Sequence, residues 1–136
     1  MAWVVDTCLI VDIAGADPVF AASSAQCLAS KASDGLIMCP VSYVELAPLW
    51  GGNATAQDQA LRSMGVVFTE PWTLMDTCAA HAAWHRQVVA KRSGHTGKRP
   101  IADVLIGAFA TRFQGLLTRN SSDFRHAFPS LAIQTP

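Results

Sequence analysis

The run Ala2-Trp3-Val4-Val5 ends directly in Asp6, and that junction constrains the architecture more than any other stretch of the chain. Four apolar residues with no polar alternation describe a short strand covered on both faces, as in the middle of a parallel sheet. Similar runs recur at Leu36–Cys39, Val66–Phe68 and Gly115–Thr118, with Leu131–Ile133 as a fifth. Helical patterns separate them. Pro18 to Ala32 carries an inner stripe of Phe20, Cys27 and Leu28 and is closed by Asp34-Gly35. Val41 to Trp50 runs up to Gly51-Gly52, and Thr55 to Met64 is stopped by Gly65. Thr73 to about Val89 places Ala80, Trp84 and Val88 along one face, and Ile101 to Phe113 keeps Ile101, Leu105, Ala108 and Phe109 in register. Strands alternating with helices predict an α/β fold, with helices on both faces of one parallel sheet of about five strands.

The length of 136 residues suits a single domain spanning 1–136, with enough chain for one core. Hydrophobic residues make up 51% and charged residues 15%, which excludes a disordered chain. No apolar run approaches the ~20 residues of a membrane span. The start, MAWVVD, has no basic region or cleavage site, so no secretory signal is expected. Cys8, Cys27, Cys39 and Cys78 form no CxxC pair and mostly lie in apolar stretches, which reads as reduced thiols. Ten basic residues balance ten acidic ones, so overall charge gives no sign of nucleic-acid binding.

Four acids sit where such a fold gathers side chains: Asp6, Glu45, Asp103 and Asp123. Each has an ordinary explanation. Ser42-x-x-Glu45 matches a capping box. Asp103 falls in a first helical turn after Pro100, where the helix dipole favours an acid. Asp123 follows Ser121-Ser122 and could cap a short helix through Phe128. Asp6 is harder to dismiss, because an acid directly after a buried strand must be capped, paired or metal-bound. Jointly the four describe a carboxylate-lined crevice at the carboxyl ends of the strands. Hard cations such as Mg2+ or Mn2+ take oxygen ligands of this kind.

The stretches VVDTCLIVDI, PVSYVELA, IADVLIGAFA and LLTRNSSDF, with FPSLAIQTP at the end, cover nearly the whole chain. In order and spacing they resemble PIN-domain proteins, specifically the toxins of VapBC-type toxin–antitoxin pairs. That resemblance implies a three-layer α/β/α domain and metal-dependent endoribonuclease activity. It implies Asp6, Glu45 and Asp103 as the core metal-holding acids, with Asp123 as a weaker fourth. Thr7, Thr118 and Asn120 resemble polar residues that border the site and orient its carboxylates. The implied reaction is hydrolysis of an RNA phosphodiester by a Mg2+- or Mn2+-activated water, leaving a 5′-phosphate and a 3′-hydroxyl. The implied partners are RNA, a VapB-like antitoxin and a second copy of the chain, in a bacterial or archaeal cytoplasm. The alternative is a non-catalytic PIN-like module that binds RNA or protein.

Other residues carry weaker signals. Lys91, Arg92, Lys98 and Arg99 bracket a polar loop before the Asp103 helix, as an RNA-backbone contact or simply as a solvated loop. Arg119 could hold a phosphate or pair with an acid. His81 and His85 have metal-ligand spacing on one helix face but lack the HExxH glutamate. His95 and His126 read as loop or surface residues, and Trp50, Trp72 and Trp84 as packing. A haloacid-dehalogenase-like phosphatase would need DxDxT where this chain has Asp6-Thr7-Cys8, and a receiver domain would need a lysine that LLTRN lacks.

Overall fold

A computed structural model describes residues 1–92 and 101–136, the side chain of Arg92 excepted. The strands are β1 (Trp3–Val5), β2 (Leu36–Ile37), β3 (Val66–Val67), β4 (Gly115–Leu117) and β5 (Ile133–Gln134). The helices are α1 (Thr7–Ala14), α2 (Ala21–Lys31), α3 (Pro40–Glu45), α4 (Ala54–Ser63), α5 (Leu74–Arg92), α6 (Ile101–Ala110) and α7 (Ser121–Ala127). All pairings are parallel and the order is β3-β2-β1-β4-β5. The chain therefore builds outward from β1 through β2 to β3, then returns to β1's other side for β4 and β5. The strand order reverses between β1 and β4, the switch point of an open parallel sheet, where ligands bind outside the carboxyl ends of the strands.

The buried strands divide their side chains between two cores. Trp3, Val5, Leu36, Met38 and Leu117 face Leu9, Ile10, Cys27, Leu28 and Leu61 from α1, α2 and α4. Val4 and Leu116 face Ile106, Phe109, Ala110 and Phe124 from α6 and α7. A third cluster, with Ala80, Ala83, Val104 and Phe128, fastens α5 onto α6 and α7. Alternation along a strand sends neighbours to opposite faces, so the continuous apolar run of β1 builds both layers at once.

Element ends follow local chemistry. Pro40 occupies the first helical position of α3, whose cap is Cys39. Ser42 thus lies inside the helix and the expected capping box does not form. The helix stops at Glu45, and Ala47–Trp50 continues as a 3-10 turn into Gly51, which is left-handed at φ 57°. Gly65, at φ 73°, turns the end of α4 into β3. Phe20, expected on the inner stripe of α2, precedes that helix and is 37% exposed. Lys91 and Arg92 end α5 instead of opening a loop. Lys98, Arg99 and His95 lie outside the described residues. Among the described residues no helix is long and apolar enough to cross a membrane.

Candidate metal centre

Asp6 is the first residue past β1, and its amide donates to Leu117 O at 3.0 Å. That bond carries the β1–β4 pairing one step beyond the strands and sets Asp6 beside Thr118. Asp6 is also the cap of α1: its Oδ1 accepts from the Thr7 amide at 2.8 Å. Its Oδ2 accepts from the Thr118 hydroxyl at 2.7 Å and from the Cys8 thiol at 3.5 Å. Asp6 as a residue is only 4% exposed. Burial pushes its pKa above the usual carboxylate value, the bonds from Thr118, Cys8 and Thr7 pull it back, and the charge of Glu45 raises it again. Burial, reinforced by the Asp6 charge, pushes the Cys8 thiol up to about 11, so it stays protonated and donates.

Glu45 ends α3, and its Oε1 accepts from the Thr7 hydroxyl at 2.7 Å. Thr7 therefore contacts both carboxylates, Asp6 through its amide and Glu45 through its side chain. Asp103 stands half-buried in the first turn of α6, which packs against α3. Asp123 is exposed in the first turn of α7. That helix is capped at Asn120, with no side-chain cap bond, so Asp123 is not its cap. The Asn120 amide donates to Thr118 Oγ1 at 3.0 Å.

Topology explains why these residues share one edge. α1, α3 and α7 begin within a few residues of the ends of β1, β2 and β4, and α6 runs back before β4 with its first turn at the same edge. Asp6 and Glu45 are joined through Thr7. Among the described residues, however, no three His, Cys, Asp or Glu side chains stand as a set able to hold an ion. His81 and His85 are both exposed on α5.

The donor chemistry suits a hard cation. Asp6 and Glu45 offer carboxylate oxygens, and Mg2+ is typically held by one or two carboxylates, with water and substrate phosphate completing the shell. Among the described residues no base pairs with Asp6: Arg119 is taken by Asp12, and Arg112 by Asp76 and Glu70. A buried acid held by neutral donors beside a second acid is an arrangement that a cation would relieve.

Two buried acids escape a motif-based reading. Asp12, 2% exposed, accepts Arg119 Nε at 2.7 Å, Arg119 Nη2 at 3.0 Å and the Ser24 hydroxyl at 2.9 Å. Asp76, fully buried, takes Arg112 Nε at 2.7 Å and Nη2 at 2.9 Å. The available signal for Asp12 was an acid within the otherwise apolar stretch LIVDIA, which needs a distant base.

Compared with protein-family models and with curated protein sequences, the chain matches none.

Proposed function

We propose that the protein is a metal-dependent endoribonuclease of the PIN-domain, VapC-like toxin type, with its reaction centre at the switch point between β1 and β4. The observation that carries this reading is the buried carboxylate of Asp6, joined to Glu45 through Thr7 and opposed by no cation among the described residues. Asp6, Glu45 and Asp103 would hold Mg2+ or Mn2+, with Asp123 at the rim. The ion would supply a Lewis acid that activates water and stabilises the leaving oxygen of an RNA phosphodiester.

The chain's own residues orient and insulate. Thr118 and Thr7 donate to the two acids and hold them in place. The apolar residues beneath the crevice keep Asp6 out of bulk water, which strengthens its attraction for a cation. Asn120 borders the site through its amide. The same reading assigns a cognate VapB-like antitoxin, a homodimeric assembly and a bacterial or archaeal cytoplasm. Exposed Leu74, Met75, Trp84 and Ile101 on α5 and α6 suit an interface of that kind.

The ends of the cleaved RNA test the chemistry. Attack by water leaves fragments with a 5′-phosphate, which a 5′-phosphate-dependent exonuclease degrades without prior phosphorylation. Fragments ending in a 2′,3′-cyclic phosphate would mean that the ribose hydroxyl was the nucleophile, and would remove the hydrolytic reading.

A further inference from the structure

Arg119 follows Thr118 at the end of β4, close to the proposed site, where a cation would ordinarily be read as a phosphate contact. Its guanidinium is engaged elsewhere. Nε and Nη2 form a fork on Asp12 at 2.7 and 3.0 Å, and the guanidinium carbon stands 4.1 Å from the Phe20 ring centroid. The receiving side is built to keep it there. Asp12 is 2% exposed and accepts the Ser24 hydroxyl as well, which pins its carboxylate. Phe20 is fixed from behind, because Asp17 Oδ1 accepts the amides of Val19 and Phe20 at 2.8 and 2.9 Å.

The geometry has a consequence for Asp6. Asp6 caps α1 and Asp12 lies six residues further along the chain, about 9 Å on at 1.5 Å per residue. The β4–α7 connection thus grips α1 at two points through consecutive residues, Thr118 on Asp6 and Arg119 on Asp12. Thr118 itself is tied into the sheet, since its amide donates to Gln134 O at 3.1 Å and the Asp6 amide donates to Leu117 O at 3.0 Å. Beyond the strand, the Arg119 fork anchors the connection to α1 and so fixes the Asn120 amide on the Thr118 hydroxyl, which keeps that hydroxyl aimed at Asp6 Oδ2.

We propose that Arg119 is a positioning residue, whose bidentate grip on Asp12 locks the β4–α7 connection to α1 and so holds Thr118 on Asp6. The inference rests on the metal-site reading above. It separates Arg119 from the RNA-contacting bases, and it extends the working site to Asp12, which touches none of the proposed metal-holding acids in the resting structure.

The test uses Arg119→Lys, Asp12→Asn and the double variant on the full chain, with Mn2+ alone as the first probe. Lysine keeps the charge but lacks the fork. Arg119→Lys and Asp12→Asn should each raise the Mn2+ concentration that half-saturates thermal stabilisation by about tenfold, the low end for loss of a group that orients a metal ligand. The Mn2+ midpoint for RNA cleavage should move in parallel, with kcat largely recovered at saturating Mn2+. The double variant should be no worse than the weaker single one, since both remove the same contact.

A phosphate-contacting Arg119 gives another pattern. Arg119→Lys would then retain wild-type metal midpoints, Asp12→Asn would be silent, and Arg119→Gln would raise KM for RNA while flattening its logarithmic salt slope by about one. That pattern overturns the proposal, as does a lowered melting temperature with unchanged Mn2+ midpoints. A wild-type protein with neither Mn2+ stabilisation nor cleavage overturns the nuclease reading itself, and the positioning role with it.

Discussion

The Thr118 hydroxyl is 2.7 Å from Asp6 Oδ2 and at the same time accepts the Asn120 amide at 3.0 Å. A hydroxyl has one proton, so the bond from Asn120 orients that proton toward Asp6. Asp6 is therefore held by a donor of fixed polarity, and its own backbone bond to Leu117 O keeps the pair in register.

Removing that hydroxyl should change the pH response. The Thr118 bond lowers the Asp6 pKa against the upward push of burial, so Thr118→Val raises it further. Cleavage that needs the Asp6 carboxylate then loses activity at higher pH on its acid side. We expect the acid limb of the pH–rate profile to move to higher pH, with a 10–100-fold loss at a fixed limiting metal concentration. Thr118→Ser should stay near wild type. An unmoved acid limb in Thr118→Val would show that Asp6 ionisation does not govern the reaction.

Stability should respond to Asp6 in the opposite sense. Its folded pKa lies above 3.8, so the native state binds more protons than the unfolded state, and stability falls as pH rises from 3.8 through the raised folded value. Above that window the buried charge remains a cost. In EDTA the melting temperature of Asp6→Asn relative to wild type should rise between pH 4 and pH 8, on top of a constant cost from its amide NH2 facing the Thr118 or Thr7 donor. Thermal melts at several pH values check this, and a relative melting temperature that stays flat or falls over that range would contradict it.

Thr7 links the two acids, and its hydroxyl reaches Glu45 Oε1 at 2.7 Å. Thr7→Val frees Glu45 to rotate and should reduce cleavage 10–100-fold, whereas Thr7→Ser should retain it. Kinetics of both variants at matched folded concentration decide the point.

The Arg112–Asp76 pair offers a purely structural contrast. Asp76 is fully buried, and Arg112 also donates to Pro71 O at 2.9 Å. Arg112→Met leaves a buried charge uncompensated and should cost about 3–5 kcal/mol in denaturant unfolding. Activity per folded molecule should not change.

Gly107 sets how closely α6 approaches the chain after α7. A Cβ there would stand 2.6 Å from Phe128 Cδ2 and 3.3 Å from Phe124 Cδ1. Gly107→Ala should therefore destabilise by about 1–3 kcal/mol despite the better helix propensity of alanine. A neutral or stabilising result would mean that Phe128 moves aside at little cost.

The sheet was legible because its central strands are short apolar runs with no alternation, bounded by Asp6, Gly35, Gly65 and Asn120. Asp6 stood out for the same reason: a charge at the end of a buried strand must be accommodated. Ser42 misled, since the capping-box spacing was satisfied while Pro40 started the helix two residues earlier. The partner of Arg119 was not legible. Asp12 and Arg119 are 107 positions apart, and only the pairing of β4 beside β1, where the strand order reverses, brings α1 up to the connection after β4. Local periodicity carries no information about such a pairing, and it also placed Phe20 inside the core when its ring lies under a guanidinium.

The most direct test of a metal-dependent nuclease is cleavage of total cellular RNA by purified protein in Mg2+, Mn2+ or EDTA, with Asp6→Asn and Asp103→Asn alongside. Wild type should give discrete fragments in Mg2+ or Mn2+ and none in EDTA, and each variant should lose at least 100-fold, equivalent to about 2.7 kcal/mol of transition-state stabilisation. Intact RNA in every lane, or cleavage that persists in EDTA and in both variants, would contradict the nuclease reading.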